Sequence, residues 1–336
     1  MNAINSSAGV NPENKPIQIG IIGCGWILRG IYHQILEQLS ELVEVVALCD
    51  LSEDAVTEAG RLFPQARCYT SMEQMLDTET LGAAMVLTSE CANTKVASAV
   101  LAAHVPVFLE KPPARNLEEL EQLIEAAERS QAPLYAAYNR HHCPLMRGVK
   151  LPKNLRRVQG RMERQGREFS GFPFTALHLL DSLHYYTRSE ASEVHAAVVE
   201  KPSLGWRLDY QLDNGCPVEM TLLPASGNHC ETLLLEGESE SLEIHFPNPE
   251  SGDAEGKLIV RDSTGGVQTL SGPVAEPVVQ MGYEPALRGF VEHLASGEGD
   301  VPEAYRIEKV VPGIRLMQAM MNAGKAFEQT RASVTV

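Results

Sequence analysis

The sequence predicts an α/β protein of two domains: one with a doubly wound parallel sheet, then an α+β domain with a large, mostly antiparallel open sheet. Its 336 residues exceed one ordinary domain, and 44% hydrophobic with 21% charged residues is typical of a packed globular protein. Up to residue 139, apolar strands alternate with helical patterns, as in parallel sheets. After residue 139, β-type segments follow one another between turns, which indicates an antiparallel sheet.

Apolar runs and capping residues mark the elements of the first domain. Strands are predicted at Ile17 to Ile22, Val43 to Leu48 and Ala83 to Leu87. Helices are predicted to begin at Ser71 and Asn116, because each is followed three residues later by a Gln or Glu that can complete a capping box.

The second half is predicted from its β-type segments and three helical patterns. The segments are 157–163, 194–199, 206–212, 218–223, 231–235 and 241–246, and the helices are 174–187, 284–295 and 303–327. Turn sequences such as Asp213-Asn214-Gly215 separate the segments.

A glycine-rich turn follows the first strand. Gly23 and Gly25 let the backbone approach a pyrophosphate and place that anion against the N-terminus of the next helix. Leu28 occupies the third position of the glycine motif, where a small residue is expected. The helix must therefore lie farther from the sheet than usual, or the sheet must leave space for the leucine side chain. Asp50 ends the second strand and can accept both ribose hydroxyls, which favours NAD(H). The alternatives are a plain tight turn and an Asp50 that caps the following helix.

The turn places a dinucleotide-binding Rossmann domain in the first half of the chain. We predict a disordered tail over 1–15, this domain over 16–139, and a substrate-binding and oligomerisation domain over 140–336. The last helix of the chain can pack back on the Rossmann domain.

Lys111 ends the apolar run that begins at Val107, and Pro112 keeps it out of the helical region. In open α/β sheets, ligands bind at this edge. The Lys111 ammonium could hold a substrate oxygen and stabilise its alkoxide character as a hydride leaves for a nicotinamide ring.

His178 and Asp181 share one face of a predicted helix because they are three residues apart. Histidine titrates near neutrality, so it suits transfer of a hydroxyl proton, and a neighbouring carboxylate can fix its tautomer. The alternative is a histidine that only packs. His184 and the pair His141-His142 are weaker candidates.

Composition argues against several other classes of protein. The formal net charge of -16, without a basic stripe, disfavours nucleic acid as a partner. Seven cysteines without C-x-x-C spacing predict neither disulfides nor a metal site, and suit a reducing compartment. The start of the chain lacks an apolar signal region, and no stretch approaches the roughly 20 apolar residues of a membrane span, so we expect a cytoplasmic protein.

Taken together, the chain resembles the Gfo/Idh/MocA family of glucose-fructose oxidoreductase and inositol dehydrogenase relatives. The resemblance covers nearly the whole chain and rests on Gly23-Cys24-Gly25-Trp26, Asp50, Glu110-Lys111-Pro112 and His178-x-x-Asp181. It implies a Rossmann domain and a second domain whose open sheet lines the substrate pocket on one face and often forms oligomer contacts on the other. It also implies that Lys111 and His178 act at the reacting oxygen.

One position departs from the family pattern. Sugar and cyclitol dehydrogenases of the family carry an aspartate four residues before the histidine that corresponds to His178, and here that residue is Phe174. An aromatic ring can neither orient substrate hydroxyls nor support a proton relay. Phe172-Pro173-Phe174 suggests instead an apolar wall for a less hydroxylated substrate, and with Gly171 it also looks like a run in biliverdin-reductase-type members.

The expected function is hydride transfer between NAD(H) and a hydroxyl or carbonyl of a small substrate, a sugar, cyclitol or derivative, by a homo-oligomer (dimer or tetramer). NADP(H) stays an alternative cofactor. Alternative functions are a non-catalytic regulator that senses NAD or a sugar, and a lyase or glycosidase that oxidises its substrate transiently and recycles NAD. The expected residues are catalytic Lys111, His178 and Asp181; cofactor-binding Gly23, Gly25, Trp26, Ile27, Asp50, Thr88, Glu110 and Lys111; and substrate-pocket Phe174, Asn139 and Arg140.

Overall fold

The computed structural model describes residues 15–250, 254–297 and 299–334. The predicted disordered tail, 1–15, therefore lies outside the described residues except for Lys15. The described chain forms a six-stranded parallel sheet and an eight-stranded, mostly antiparallel sheet, each covered by helices, which confirms the predicted fold class. Among the described residues, no helix has both the length and the apolar character that crossing a membrane requires.

The first sheet has the strand order β3-β2-β1-β4-β5-β6, with every neighbouring pair parallel. Its strands are β1 Ile17–Ile22, β2 Val43–Cys49, β3 Arg67–Tyr69, β4 Ala83–Val86, β5 Val107–Glu110 and β6 Leu134–Ala137. The order reverses between β1 and β4, and at such a switch point the carboxyl ends of the strands leave a crevice for a ligand.

Five helices connect these strands: α1 His33–Gln38, α2 Glu53–Leu62, α3 Met72–Thr78, α4 Asn93–Ala102 and α5 Leu117–Ser130. The two predicted caps are confirmed. The Ser71 hydroxyl accepts from the N–H of Gln74 at 3.2 Å, and Asn116 Oδ1 accepts from the N–H of Glu119 at 2.9 Å. These side chains satisfy donors that the first turn of a helix leaves without intrahelical partners.

The second sheet has the order β14-β13-β12-β11-β7-β10-β9-β8, and only β7 and β10 run parallel. Its strands are β7 Arg157–Glu163, β8 Ala191–Val199, β9 Gly205–Leu212, β10 Pro217–Leu223, β11 Cys230–Glu236, β12 Glu240–His245, β13 Lys257–Asp262 and β14 Val267–Ser271. Sequence patterns indicated the first six strands, within three residues at each end, and missed β13 and β14. The last strand is exposed throughout, so it lacks the alternation of buried and exposed residues that marks a half-buried strand.

Four further helices complete the fold: α6 Phe172–Thr187, α7 Pro277–Gln280, α8 Tyr283–Ser296 and α9 Val311–Val334. The predicted helix 303–327 is in fact two 3₁₀ turns followed by α9. Helix α6 packs against β7 and β11 of the second sheet and against α9, which itself contacts β8. The helices cross closely at Gly313, where an added Cβ would stand 2.9 Å from the Cβ of Asp181.

The C-terminal helices pack on both sheets. Phe290 of α8 belongs to the core that contains Phe108 of β5. In α9, Met317 belongs to a core of the first sheet and Met320 to the core of the second. The predicted division of the chain after residue 139 remains a prediction, although α8 and α9 complete the core of the domain that precedes them in the chain.

Candidate functional site

A cleft of about 730 Å³ lies between the carboxyl edge of the first sheet and the second sheet. Helix α6, the segment after β7 and the loop before α8 form its second-domain wall. The expected site residues that line the cleft are Trp26, Ile27, Thr88, Glu110, Lys111, Arg140 and His178. The cleft therefore brings together His178 and five of the eight residues expected to hold a cofactor, Lys111 among them, whereas Gly23, Gly25 and Asp50 are not part of its lining.

The glycine turn at the edge of the cleft has the geometry of a phosphate cradle. Gly23 has φ +101°, and an added Cβ would meet the carbonyl oxygen of Leu87 at 2.5 Å, so only glycine fits there. Gly25 has no atom within 4 Å of the corresponding position, which leaves its face open to a ligand. Helical backbone begins at Trp26, so the first N–H groups of that helix are free to bind an anion.

Leu28 changes the start of this helix. Residues Leu28–Tyr32 form a π-helical turn before α1. Leu28 is fully buried in the core that lies against this helix. The sheet thus offers the hollow that the sequence required, and the wider π-helical turn coincides with the larger side chain.

Asp50 connects the end of β2 to the glycine turn. Its Oδ2 accepts from the N–H of Cys24 at 2.8 Å, and its Oδ1 accepts from the N–H of Ser52 at 2.9 Å. The alternative interpretation, a cap of α2, is wrong, because the Ser52 hydroxyl caps that helix by accepting from the N–H of Ala55. Each carboxylate oxygen keeps a further lone pair, so Asp50 can still accept hydroxyl donors.

Glu110 and Lys111 stand where β5 ends. Glu110 is buried, and its carboxylate accepts from the Tyr32 hydroxyl at 2.7 Å and from the N–H of Lys111 at 2.8 Å. Burial raises the pKa of Glu110, although the Lys111 charge opposes that shift. Asn93 holds the turn that follows by donating to the carbonyl oxygens of Glu110 and Pro112. The Lys111-Pro112 peptide bond is cis.

The Lys111 ammonium is available to a ligand. Among the described residues it has no ion-pair partner and no side-chain hydrogen bond. Burial lowers the pKa of Lys111, Glu110 partly offsets this, and the nearby guanidinium of Arg140 adds to it. A cation with a lowered pKa in a cleft is a common feature of a functional site.

His178 faces the same cleft from α6. It is half-buried, and no described residue forms a hydrogen bond with its ring. Burial lowers the pKa of His178 well below its usual range, and the charges of Lys111, Arg140 and Arg164 lower it further. The imidazole is therefore neutral near pH 7 and can accept a proton.

The structure does not join Asp181 to His178. Asp181 is buried and pairs with His141, whose Nε2 lies 2.5 Å from Asp181 Oδ2. His141 stacks on Tyr185, with ring centroids 3.7 Å apart, and its Nδ1 lies 2.9 Å from the carbonyl oxygen of Ala304. The expectation that Asp181 fixes the tautomer of His178 is wrong, because helical spacing brings the residues onto one face but cannot reveal a partner 40 residues away.

Arg140 binds a buried carboxylate that sequence analysis did not identify. Its Nε and Nη2 donate to the two oxygens of Glu231 at 3.0 and 2.9 Å, and Nη2 of Arg164 donates to Glu231 at 2.6 Å. Burial opposes the charges, but the two guanidiniums outweigh it and lower the pKa of Glu231. The Nη1 of Arg140 is buried and has no hydrogen-bond partner among the described residues.

Two residues expected in the substrate pocket do not line the cleft. Phe174 is half-buried and packs against a core of the first sheet, so it forms no apolar wall, and Thr175 lines the cleft instead. Asn139 is buried, and its Nδ2 donates to the carbonyl oxygen of Met281 at 2.8 Å. Both departures follow from the direction in which α6 and the turn after β6 present their side chains.

The weaker histidine candidates have packing roles or face elsewhere. The Nδ1 of His184 lies 2.7 Å from the carbonyl oxygen of Ser189, and its Nε2 lies 3.2 Å from the Tyr210 hydroxyl. Burial lowers the pKa of His142 to about 3, and this residue lines a different cavity. No group of three or more His, Cys, Asp or Glu in the described part of the chain could hold a metal ion.

Sequence reasoning missed Glu231, Arg164 and Arg167. A signal was present for Glu231, because it shares the inward face of β11 with Leu233 and Leu235, where a charge requires a partner. No signal of this kind marked Arg164 or Arg167, which follow β7 at the cleft.

Known proteins share this sequence pattern in the first domain. Residues 17–138 match the family model GFO_IDH_MocA, described as an oxidoreductase family with an NAD-binding Rossmann fold. The chain is 28% identical over 135 residues to D-apiose dehydrogenase of Paraburkholderia graminis, covering 40% of this chain and 36% of that protein. It is 25% identical over 124 residues to myo-inositol 2-dehydrogenase of Thermotoga maritima, covering 37% and 36%. The aligned part spans about a third of these relatives' length.

A likeness in fold covers nearly the whole chain, including both sheets. The solved structure of a dehydrogenase from Chromobacterium violaceum superposes with a TM-score of 0.78 at 19% sequence identity, covering 96% of this chain and 99% of that one. At that identity the likeness shows the fold alone. Residues 17–138 thus match the GFO_IDH_MocA family model in sequence, and nearly the whole chain is similar in fold to that dehydrogenase.

Proposed function

We propose that this protein is an NAD(H)-dependent oxidoreductase that acts on a hydroxyl or carbonyl group of a small sugar, cyclitol or derivative. The observation that carries the proposal is one cleft lined by Lys111 and His178 and bordered by a glycine turn that only glycine can form. The turn fits a dinucleotide, because Gly25 is open and the N–H groups that follow it can bind a pyrophosphate. A bound nicotinamide would supply the carbon that accepts or donates the hydride.

Lys111 holds the reacting oxygen of the substrate in this mechanism. Its ammonium has no acceptor of its own among the described residues, so a substrate hydroxyl or carbonyl becomes its partner. A positive charge at this position stabilises the oxygen as alkoxide character develops. Because burial lowers the pKa of Lys111, its ammonium also gives up a proton more readily than an exposed lysine does.

His178 accepts the hydroxyl proton when the substrate is oxidised. Its ring is neutral near pH 7, since burial lowers its pKa well below the usual value, and no described side chain occupies its nitrogens. In the reverse direction the same proton path runs backwards, so protonated His178 returns the proton to the oxygen that Lys111 holds.

The Lys111→Met variant tests this mechanism. It should lose activity by a factor of about 100 or more while keeping the cofactor affinity of the wild type, because the electrostatic stabilisation of the oxygen is lost and the glycine turn is not. The assay is absorbance at the reduced nicotinamide band with a panel of sugars, cyclitols and their keto derivatives. The matched control is Lys95→Met, which removes an exposed lysine of α4. Equal activity of Lys111→Met and wild type would exclude the mechanism.

The same panel separates the alternative functions. Binding of NADH without turnover of any substrate would favour a regulator that senses NAD or a sugar. Product formation without net NADH would favour a lyase or glycosidase that recycles NAD. Both the regulator and the lyase or glycosidase stay alternatives because Phe174 stands where sugar and cyclitol dehydrogenases of the family carry an aspartate.

We also propose a preference for NAD(H) over NADP(H). Asp50 ends β2 beside the glycine turn, and its carboxylate would accept ribose hydroxyls and repel a 2′-phosphate. Leu51 and Ser52, which follow it, bring no cation.

Replacing Asp50 tests this preference. Asp50→Ala should weaken NADH binding about tenfold, the equivalent of roughly 1.4 kcal/mol, and narrow the difference between NADH and NADPH. Fluorescence titration of both cofactors gives the ratio, with the exposed Asp54→Ala as a control for charge. A wild-type protein that binds NADPH more tightly than NADH would reverse the assignment.

We also propose that the protein is a homo-oligomer and that it functions in the reducing environment of the cytoplasm. The outer strand β14 exposes Val267 (64%) and Leu270 (46%), a pattern that suits contact with a second copy. All seven cysteines are unpaired thiols. Sedimentation of the wild type and of Val267→Lys would test the contact, since the lysine should shift the protein toward monomer.

A further inference from the structure

Three arginines meet on the second-domain side of the cleft: Arg140, Arg164 and Arg167, here called the arginine wall. Arg140 and Arg164 are buried, with side chains 7% exposed, and their common partner is Glu231. One carboxylate faces two guanidiniums, so this buried cluster carries one positive charge in excess. Buried charges are costly unless they are paired, so the excess requires an explanation.

Arg140 supplies a second, independent observation. Its Nη1 is buried with no hydrogen-bond partner among the described residues, whereas its Nε and Nη2 each donate to Glu231. A buried donor without an acceptor costs about 1 to 3 kcal/mol. An oxygen atom of a ligand bound in the cleft is the acceptor that this donor lacks.

Arg167 adds an accessible cation at the same wall. It is exposed and lines the cleft, and it forms no ion pair with any described residue. Its guanidinium influences Lys111, as that of Arg140 does, so the positive charges converge on the reacting end of the cleft.

The described carboxylates that line the cleft form no ion pair with the arginine wall. Glu110 is occupied by the Tyr32 hydroxyl and a backbone N–H. Glu250 pairs with His229 at 3.2 Å, and Glu276 accepts from Gln38 at 3.3 Å. Arg167 and the Nη1 of Arg140 therefore keep donors that no described carboxylate of the cleft accepts.

We infer that the arginine wall binds an oxyanion of the substrate, so that the substrate is a sugar or cyclitol derivative with a carboxylate or phosphate group. This inference rests on the proposed function, because it assigns the anionic group to the molecule that reacts at Lys111. Guanidinium groups bind carboxylates and phosphates through paired N–H donors, which fixes the orientation as well as the affinity of the substrate. With the anion held at the arginine wall, a carbinol carbon of the same molecule is directed to Lys111 and His178.

Binding to the NADH-saturated protein tests the inference directly. Isothermal titration calorimetry with glucose 6-phosphate, glucuronate and neutral glucose should show an anionic ligand binding at least tenfold more tightly than glucose. Arg167→Gln should weaken that binding about five- to tenfold, and Arg167→Lys should recover part of it because the charge returns without the paired donors. The control is Arg156→Gln, which removes another exposed arginine (65% exposed) that lies in none of the cleft-lining segments and should leave binding unchanged.

Each outcome has a definite meaning. Preference for the phosphate or for the carboxylate identifies which oxyanion the arginine wall takes, and either supports the inference. Equal binding of glucose and the anions, binding of none of them, or full affinity in Arg167→Gln would overturn it. Anion binding that depends on Arg167 without any turnover would leave the arginine wall intact and refute the dehydrogenase proposal. Turnover of neutral sugars that does not depend on Arg167 would support the dehydrogenase proposal and refute anion binding at the arginine wall.

Discussion

A buried glutamate stands on each side of the cleft, and the pKa values of the two are shifted in opposite directions. Glu110, on the first-domain wall, accepts from neutral donors, the Tyr32 hydroxyl and a backbone N–H, and burial raises its pKa. Glu231, on the second-domain wall, accepts from two guanidiniums, which outweigh burial and lower its pKa. Burial alone therefore does not decide the charge of a carboxylate, because the charge of its donors does.

The difference gives the two walls different tasks. Neutral donors fix the position of Glu110 and of the backbone that carries Lys111 without adding charge. The guanidiniums around Glu231 also join two parts of the chain, because Arg140 follows the last strand of the first sheet and Glu231 lies in β11 of the second. The first wall therefore fixes the position of Lys111, whereas the second wall adds positive charge from its guanidiniums.

The largest effect should come from removing the carboxylate of the second wall. Glu231→Gln leaves two guanidiniums buried against each other with no countercharge, so the free energy of unfolding should fall by about 3 to 5 kcal/mol. Urea denaturation measures it. Glu219→Gln, which breaks an exposed pair with Arg157, should cost less than about 1 kcal/mol. If the two variants were equally stable, Glu231 would not be the centre of the cluster.

A smaller effect should follow on the first wall. Tyr32→Phe removes one neutral donor from Glu110 and leaves the N–H of Lys111 in place, so the free energy of unfolding should fall by about 1 to 2 kcal/mol. The same urea experiment measures it. The double variant Tyr32→Phe with Glu110→Gln would show how much of that cost belongs to the pair. If Tyr32→Phe lowered the free energy of unfolding as much as Glu231→Gln does, the two glutamates would not differ in how strongly their donors stabilise the fold.

The smallest effect is expected in the pH profile, where both walls act on His178. Burial and then the charges of Lys111, Arg140 and Arg164 lower its pKa, so kcat/KM for oxidation at pH 6 should stay within about twofold of its value at pH 7.5. A histidine with the ordinary pKa near 6.5 would keep only about a quarter of its base form at pH 6.

The same shift affects stability with a definite sign. The unfolded chain binds a proton at His178 below about pH 6.5 and the folded chain does not, so this group destabilises the fold as the pH falls. NMR titration of the ring in Lys111→Met should show a higher pKa than in the wild type, because one positive charge has gone. An unchanged or lower pKa in that variant would contradict the assigned cause.

The two walls also differ in how far the sequence predicts them. The first wall follows from neighbours in the chain: a strand, a glycine turn, and a lysine before proline each have a local signature, and the alternation of strands and helices predicts a parallel sheet. The second wall depends on pairs far apart in the chain. Arg140 and Glu231 are 91 residues apart, and no spacing rule connects them.

Asp181 shows the same limit within a single helix. Helical periodicity placed it on the face of His178, but its partner is His141, which comes from a 3₁₀ turn after β6. Phe174 likewise lies one residue away from the position that lines the cleft, since Thr175 is the residue that lines it. Periodicity identifies a face of a helix, whereas the neighbours that cover this face depend on the tertiary fold.

Helix α9 has a consequence for how the chain acquires its structure. It lies after every strand of both sheets in the sequence, yet Met317 and Met320 fill the cores of the first and second sheet respectively. During synthesis, both sheets are therefore translated before either has its full complement of apolar contacts. The growing chain must carry two incomplete cores until α9 emerges from the ribosome, and its docking then completes both together.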